Sequence, residues 1–404
     1  MRHQSTAGRV TARTRRRGRK LLAAAAAAVL PIVAVVTASP AQAQAEPHDD
    51  PASAAAAWLA DQSSGDYFEF NGAPDVSTTL DALIGLMAAR VGGDQVQASL
   101  EWLNEPDTLN SYVYPGGDAE GASIAVGAAG KVMYVVATAG GDPTDFGGVK
   151  LADEVAAAPL EGIDGSTLSW AALGLSRTED GVPPEIADAL TAAQCDDGGF
   201  SFTVPEDGSC TSDTDTTGIA VAALTATGDA AADTREDALQ WLRDHQDEDG
   251  SFSFDEASGP SANSTAMAAQ ALLTSNDTEA AQLSVTYLIG LQISCGEDGA
   301  GAVRFTDPED PEFGEISRLS ATAQSLVPLA GQNYAELDAT DSSPDVPTLE
   351  CPTAGDDAAT ADEDETDTTT WVPWVIVAAV IVLAGIIAYL VVRARRGGGG
   401  KDGE

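Results

Sequence analysis

The 404-residue chain predicts an all-α domain, an α/α toroid of six helix-pair repeats and about twelve helices, followed by one C-terminal transmembrane helix. Three observations lead there. A Gln-x-x-x-Gly-x-Phe signature recurs through the middle of the chain. Segments with a Trp-Leu pair alternate with Ala-rich segments. Near the end, an uncharged apolar run is followed at once by arginines.

The signature is plainest in Gln194-Cys195-Asp196-Asp197-Gly198-Gly199-Phe200-Ser201-Phe202 and in Gln246-Asp247-Glu248-Asp249-Gly250-Ser251-Phe252-Ser253-Phe254. Relatives lie at 62–70 and 292–305, and Tyr112-Val113-Tyr114 keeps only the aromatic pair. With the second aromatic as a marker, Phe70, Tyr114, Phe202, Phe254 and Phe305 are separated by 44, 88, 52 and 51 residues. The doubled step hides one unit, whose degenerate copy is Ile163-Asp164-Gly165-Ser166. Six units of about 47 residues result, and a fixed period of that size marks a repeat architecture.

Each unit opens with a helix carrying the Trp-Leu pair, as in Ala57-Trp58-Leu59, Glu101-Trp102-Leu103 and Gln240-Trp241-Leu242. A Gly/Asp turn ends it, because Gly supplies left-handed backbone and Asp bonds locally. After the aromatics comes a polar cluster: Asp75-Val76-Ser77-Thr78-Thr79, Asp213-Thr214-Asp215-Thr216-Thr217 or Ser261-Ala262-Asn263-Ser264-Thr265. Side-chain oxygens in such clusters accept from the free N–H groups that start a helix. The helices that follow, with Gly218 to Leu224 and Ala266 to Leu273 inside them, carry small side chains on several faces. Small faces pack closely, so these helices form the inner ring and the Trp-Leu helices the outer one, over Ala52 to Gly331. An open solenoid shares the local pattern; six units of this size suit closure.

The ends set the topology. Eight basic and no acidic residues precede Leu21, an apolar run extends to Val36, and Ala41-Gln42-Ala43-Gln44-Ala45 suits a signal peptidase. Residues 1–45 therefore read as a signal peptide. Arg15-Arg16 leaves the choice between general and twin-arginine export open. Residues 371–392 carry no charge, have Trp371, Trp374 and Tyr389 near their edges, and precede Arg393, Arg395 and Arg396. That pattern is a membrane span with its basic flank inside. The expected organisation is an extracellular toroid at 46–351, an acidic Thr-rich stalk at 352–370, the span at 371–392 and a cytoplasmic tail at 393–404. The protein is thus expected in the cell membrane as a single-pass type I chain.

Eight of the 20 Lys/Arg residues precede Leu21 and four follow Val392, which leaves eight against 61 acidic residues outside the membrane. Such a surface excludes nucleic acid and phosphate-rich partners and suits a solvated, salt-tolerant exterior. Divalent cations stay an open question. Cys195, Cys210, Cys295 and Cys351 all fall in the exported part, where an even count implies disulfides. The short Gly-rich loop favours Cys195–Cys210, and Cys295–Cys351 follows by elimination. With only His48 and His245 in the mature chain, zinc is a poor alternative.

The signature resembles the QW-type repeats of the terpenoid cyclase and protein prenyltransferase superfamily, whose members are α/α toroids, squalene cyclase among them. Within it, Thr214-Asp215-Thr216-Thr217-Gly218-Ile219-Ala220-Val221-Ala222-Ala223-Leu224 is similar to the signature of transcobalamin-like corrinoid carriers. Asn263-Ser264-Thr265-Ala266-Met267-Ala268-Ala269-Gln270-Ala271-Leu272 repeats that grammar. The resemblance implies a ligand at the ring mouth, met by polar residues that open the inner helices. Asp215, Thr216, Asn263 and Ser264 are then hydrogen-bonding candidates, with Tyr112 and Tyr114 as stacking faces. Plain helix capping is the competing role for Asp215 and Asn263.

Enzymatic alternatives lack parts. A class II terpene cyclase carries Asp-x-Asp-Asp-Thr-Ala, but Thr216 and Gly218 replace two of those residues, and aromatics are few. A prenyltransferase needs zinc and basic residues. A complement-type thioester at Cys295-Gly296-Glu297-Asp298 needs Gln in its fourth place. An EF-hand starting at Asp213 needs Glu where Leu224 stands. The expected function is therefore non-catalytic binding of a corrinoid, another small molecule or a surface glycan. It requires no cofactor, and a membrane transporter is a candidate partner. A secreted cyclase with a degenerate acid motif and a surface interaction scaffold remain as alternatives.

Overall fold

The computed structural model describes residues 48–116, 122–204, 209–275, 278–309, 314–349 and 351. The expected signal peptide, stalk, transmembrane helix and tail lie outside the described residues. Among the described residues no helix is long and apolar enough to cross a membrane.

Thirteen α-helices and one short hairpin are present among the described residues. Six outer–inner pairs account for twelve of the helices: α1 (Pro51–Asp61) with α2 (Val76–Ala88), α3 (Gly93–Leu103) with α5 (Val126–Thr138), and α6 (Leu151–Ala156) with α7 (Gly165–Leu175). The others are α8 (Pro184–Ala192) with α9 (Thr214–Thr227), α10 (Ala232–Asp244) with α11 (Ala262–Leu272), and α12 (Thr278–Leu291) with α13 (Gly314–Leu329). The thirteenth helix, α4 (Pro106–Val113), takes up Tyr112 and Val113, so this unit has a helix where an aromatic turn was expected. Strands β1 (Glu69–Phe70) and β2 (Ala73–Pro74) form the hairpin around Asn71-Gly72.

Along the chain each inner helix packs on the next, and α13 returns to α2. The ring is closed. Small residues make the close approach possible, as the Ala-rich sequence implied. A Cβ on Gly85 would lie 2.8 Å from the Ala323 carbonyl oxygen, and one on Gly130 or Gly218 would lie 2.4 Å from that of Trp170 or Met267.

The repeat signature explains how the outer ring closes. The Gln194 amide donates to Gly198 in its own turn and to Thr234 just inside the next outer helix, α10. Gln246 does the same with Gly250 and with Ala280 of α12. Gln292 completes the circle, donating at 2.8 Å to Pro51 at the start of α1. The turn glycine supports each junction: Gly301, at φ 92°, lies where a Cβ would come within 2.5 Å of the Ala54 carbonyl oxygen. The first aromatic of the pair is buried, as in Phe68, Phe200 and Phe252, whereas Phe70 and Phe202 are exposed.

Beyond α13 the chain does not leave the domain. Residues 331–346 form a strap across the C-terminal ends of the inner helices. Arg177 donates to the carbonyls of Tyr334, Ala335 and Leu337, Tyr134 Oη donates to that of Tyr334 at 2.8 Å, and the Tyr334 amide donates to Gln270. Further along, Ser343 donates to the Arg90 carbonyl and Gly92 to that of Asp345. Both expected disulfides are present, Cys195–Cys210 and Cys295–Cys351, and the second fixes the end of the strap.

Candidate functional site

The inner helices start alike. Asp75, Asp164 and Asp213 each accept from the backbone N–H three residues on, at 2.7–2.9 Å, and Ser261 does so at 3.2 Å. The hydroxyls of Thr79, Thr217, Thr265 and Thr322 each accept from a turn amide, those of Phe68, Phe200, Phe252 and Val303. These shared bonds set the repeats in register and show which positions correspond.

Two positions after each cap stand Ser77, Gly127, Ser166, Asp215 and Asn263, and the shared threonine adds Ser320 of α13. One turn further along stand Asp81, Lys131, Trp170, Ile219, Met267 and Gln324. Residues four apart share a helix face. Contacts between neighbouring helices, together with the approach of Trp170, Asp81 and Asp215 to Tyr334, bring members of both sets together, and helix periodicity puts the rest on the same faces. Asn263 reaches Ser320 at 3.5 Å, Lys131 pairs with Asp81 at 2.6 Å, and the Lys131 ammonium lies 5.3 Å from the Trp170 ring centroid. The lumen thus carries an upper and a lower tier. Nothing in the repeat grammar requires Asp, Lys, Trp or Gln at these places.

Tyr334 of the strap forms the floor. Its ring lies 5.9 Å from Trp170 and 6.1 Å from Tyr134, and only 3% of the residue is exposed. Burial, followed by the charge of Asp81, the Tyr134 phenol and the charge of Asp215, holds its hydroxyl well above the usual range. Both lumen carboxylates therefore bear on one hydroxyl. Burial works to discharge Lys131, but Asp81 and then Tyr112 outweigh it and raise its pKa.

Asp215 is the most perturbed carboxyl of the lumen. Burial pushes its pKa from 3.8 to about 6, the Ser264 hydroxyl opposes that rise, and the Asp213 charge adds to it. The buried oxygens Asp215 Oδ1, Asn263 Oδ1 and Gln324 Oε1 have no hydrogen-bond partner. They sit on consecutive inner helices, α9, α11 and α13. An unpartnered buried acceptor is costly and rare in folded proteins, so these three are the candidate acceptors of the site.

The sequence candidates separate accordingly. Asp215 and Asn263 stand on the upper tier, and capping belongs to Asp213 and Ser261 instead. Ser264 lies beside Asp215. Tyr112 is half-buried and near enough to Lys131 to favour its charge. Thr216 is turned away: it is 2% exposed and its methyl faces Gly165 of α7. Tyr114 is 4% exposed, and its hydroxyl donates to Glu154 of α6 at 2.6 Å, which with burial raises its pKa to about 12. It offers no free stacking face. Asp81, Lys131, Trp170, Gln324 and Tyr334 were not anticipated. Lys131 and Asp81 could have been, as the only charged residues within the helices 126–138 and 76–88.

Solved structures share the architecture. A glycosidase in complex with glucose aligns at 15% identity and TM-score 0.51, covering 70% of this chain and 96% of that one. Its wild-type form aligns at 15% identity and TM-score 0.51, over 71% and 96%. The apo type II terpene cyclase MstE from Scytonema reaches TM-score 0.47 at 15% identity, over 69% and 96%, too loose a likeness to bear on this chain. What is shared is the fold. No protein-family model matches the chain, and no curated protein matches it either. Among the described residues no group of three or more His, Cys, Asp or Glu side chains is placed to hold a metal ion.

Proposed function

We propose that the toroid is an exported ligand-binding domain that receives a small extracellular molecule in its lumen, from the mouth formed by the inner-helix N-termini. The three unpartnered oxygens on α9, α11 and α13 carry this reading. Tyr334 and the strap close the opposite side, so a ligand enters from the upper tier and rests above Trp170, the Lys131–Asp81 pair and Tyr334. The transcobalamin-like grammar of α9 and α11 makes a corrinoid the first compound to test, and a glycan or another small molecule follows. The expected signal peptide and the expected span at 371–392 support an exported domain anchored as a type I protein, which in this reading hands its ligand to a membrane transporter.

Thermal melting of the intact protein with cyanocobalamin, glucose and glucosamine tests the reading. A ligand at about 100 times its dissociation constant stabilises by about 2.7 kcal/mol. A shift that disappears in Asn263→Ala supports the lumen site; a shift untouched by lumen substitutions places the site elsewhere.

Asp215 alone favours a second reading, an enzyme that donates a proton. A carboxyl titrating near 6 with a free oxygen suits an acid catalyst. Thr216, which stands where cyclases carry a further Asp, is turned into the α7–α9 seam. Release of product from aryl glycosides, lost in Asp215→Asn, would decide for catalysis.

A further inference from the structure

Resting on that binding reading, we propose that the group received between the two lumen tiers is the ammonium of a cationic small ligand, held by Asp215 Oδ1, Asn263 Oδ1 and Gln324 Oε1. All three are acceptors without a donor. An ammonium group offers three N–H donors and no acceptor, and a carboxylate among its partners supplies the countercharge. A hydroxyl brings one donor and two lone pairs, which here would face more oxygen.

Two of the N–H groups that open each of α9 and α11 are already engaged, and that weighs against an anion. In α9 the Thr214 amide donates to the Phe254 carbonyl at 3.0 Å and the Thr216 amide to Asp213 at 2.8 Å. In α11 the Ala262 amide donates to the Phe305 carbonyl at 2.8 Å and the Ser264 amide to Ser261 at 3.2 Å. Loop carbonyls and caps therefore use N–H groups that would otherwise cradle a phosphate or carboxylate. The one lumen ammonium, Lys131, is matched by Asp81 at 2.6 Å, which leaves Asp215 as the carboxyl without a cation. A predicted exterior with 61 acidic residues and eight basic ones raises the local concentration of cations.

Isothermal titration of the full-length protein with glucosamine and glucose tests this, since the two differ by an ammonium in place of a hydroxyl. Glucosamine should bind at least tenfold tighter than glucose at pH 7, and Asp215→Asn, a near-isosteric change, should erase the difference. Asp215 should be about one-tenth ionised at pH 5, so affinity for glucosamine should fall about tenfold from pH 7 to 5. The groups that bear on Asp215 are Asp213 on its own helix, Ser264 on α11 and Tyr334 on the strap. The pH series is therefore repeated on Asp215→Asn, which should show no such fall. Equal affinity for glucose and glucosamine overturns the ammonium assignment and leaves a binding lumen standing. Cyanocobalamin binding without glucosamine binding does the same. If none of the three compounds binds, this inference and the reading beneath it fall together.

Discussion

Replacing Asp215 with Asn should make the protein more stable at neutral pH, an unusual outcome for a buried polar residue. In the fold the Asp215 carboxyl titrates near 6 rather than 3.8, chiefly because burial penalises its charge. The fold therefore prefers the protonated form by about 3 kcal/mol, and above pH 6 that preference becomes a cost of ionising the group. The sign follows from proton counting. Between pH 4 and 6 the folded state holds more protons than the unfolded state, so stability falls as pH rises through that window. Below about pH 4 both states are protonated and the cost vanishes. Asn keeps the shape and carries no charge, so at pH 7 it should recover much of the 3 kcal/mol, or roughly 5 °C in melting temperature for a domain of this size. Scanning calorimetry of both proteins from pH 4 to 7.5 reads it directly. A gain that grows between pH 4 and 6 and then levels supports the desolvated carboxyl. Equal or lower stability of the variant at pH 7 would refute it, as would a gain independent of pH.

Three further substitutions probe the framework. Lys131→Met strands Asp81 in a largely buried place and should cost about 3 kcal/mol in urea unfolding, part of it regained in Lys131→Met/Asp81→Leu; a cost under about 1 kcal/mol would mean that water already solvates the pair. Gly301→Ala puts a Cβ against the Ala54 carbonyl at a left-handed position and should cost at least about 2 kcal/mol, because the last turn can no longer dock on α1. A neutral outcome would argue against closure of the outer ring through Gln292 and Pro51. Cys351→Ser opens a link spanning 56 residues and should cost about 4 kcal/mol on the chain-entropy estimate; a melting temperature unchanged from the oxidised parent would show that the strap holds without it.

The fold was legible because the repeat grammar is made of short-range chemistry. A Gln, a left-handed Gly, a buried aromatic and a capping Asp or Ser each do one local task, and Gln194, Gln246 and Gln292 do the same task three times. Six units suited closure, but the contact that closes the ring needed the structure, since the bond from Gln292 to Pro51 spans 241 residues and no pattern announces it. The candidate site was half legible. Asp215 and Asn263 belonged to the polar clusters, but the sequence could not separate them from the true caps, which differ only by two positions along the helix. Tyr114 and Thr216 misled because an aromatic beside a turn and a Thr beside an Asp look identical whether they face a lumen or a seam. Asp81, Lys131 and Trp170 were hidden inside apolar helices, and Tyr334 lay just beyond the last repeat, which the sequence pattern ends at Gly331.

If the lumen is where this protein binds, amide hydrogen exchange should locate the ligand. The intact protein is compared free and saturated with whichever of cyanocobalamin, glucose or glucosamine raises its melting temperature. The account predicts slower exchange confined to the first two turns of α9 and α11, to residues 317–324 of α13 and to the strap around Tyr334. Protection on the outer helices or around the exposed Phe70 and Phe202, with those lumen segments unchanged, would contradict it.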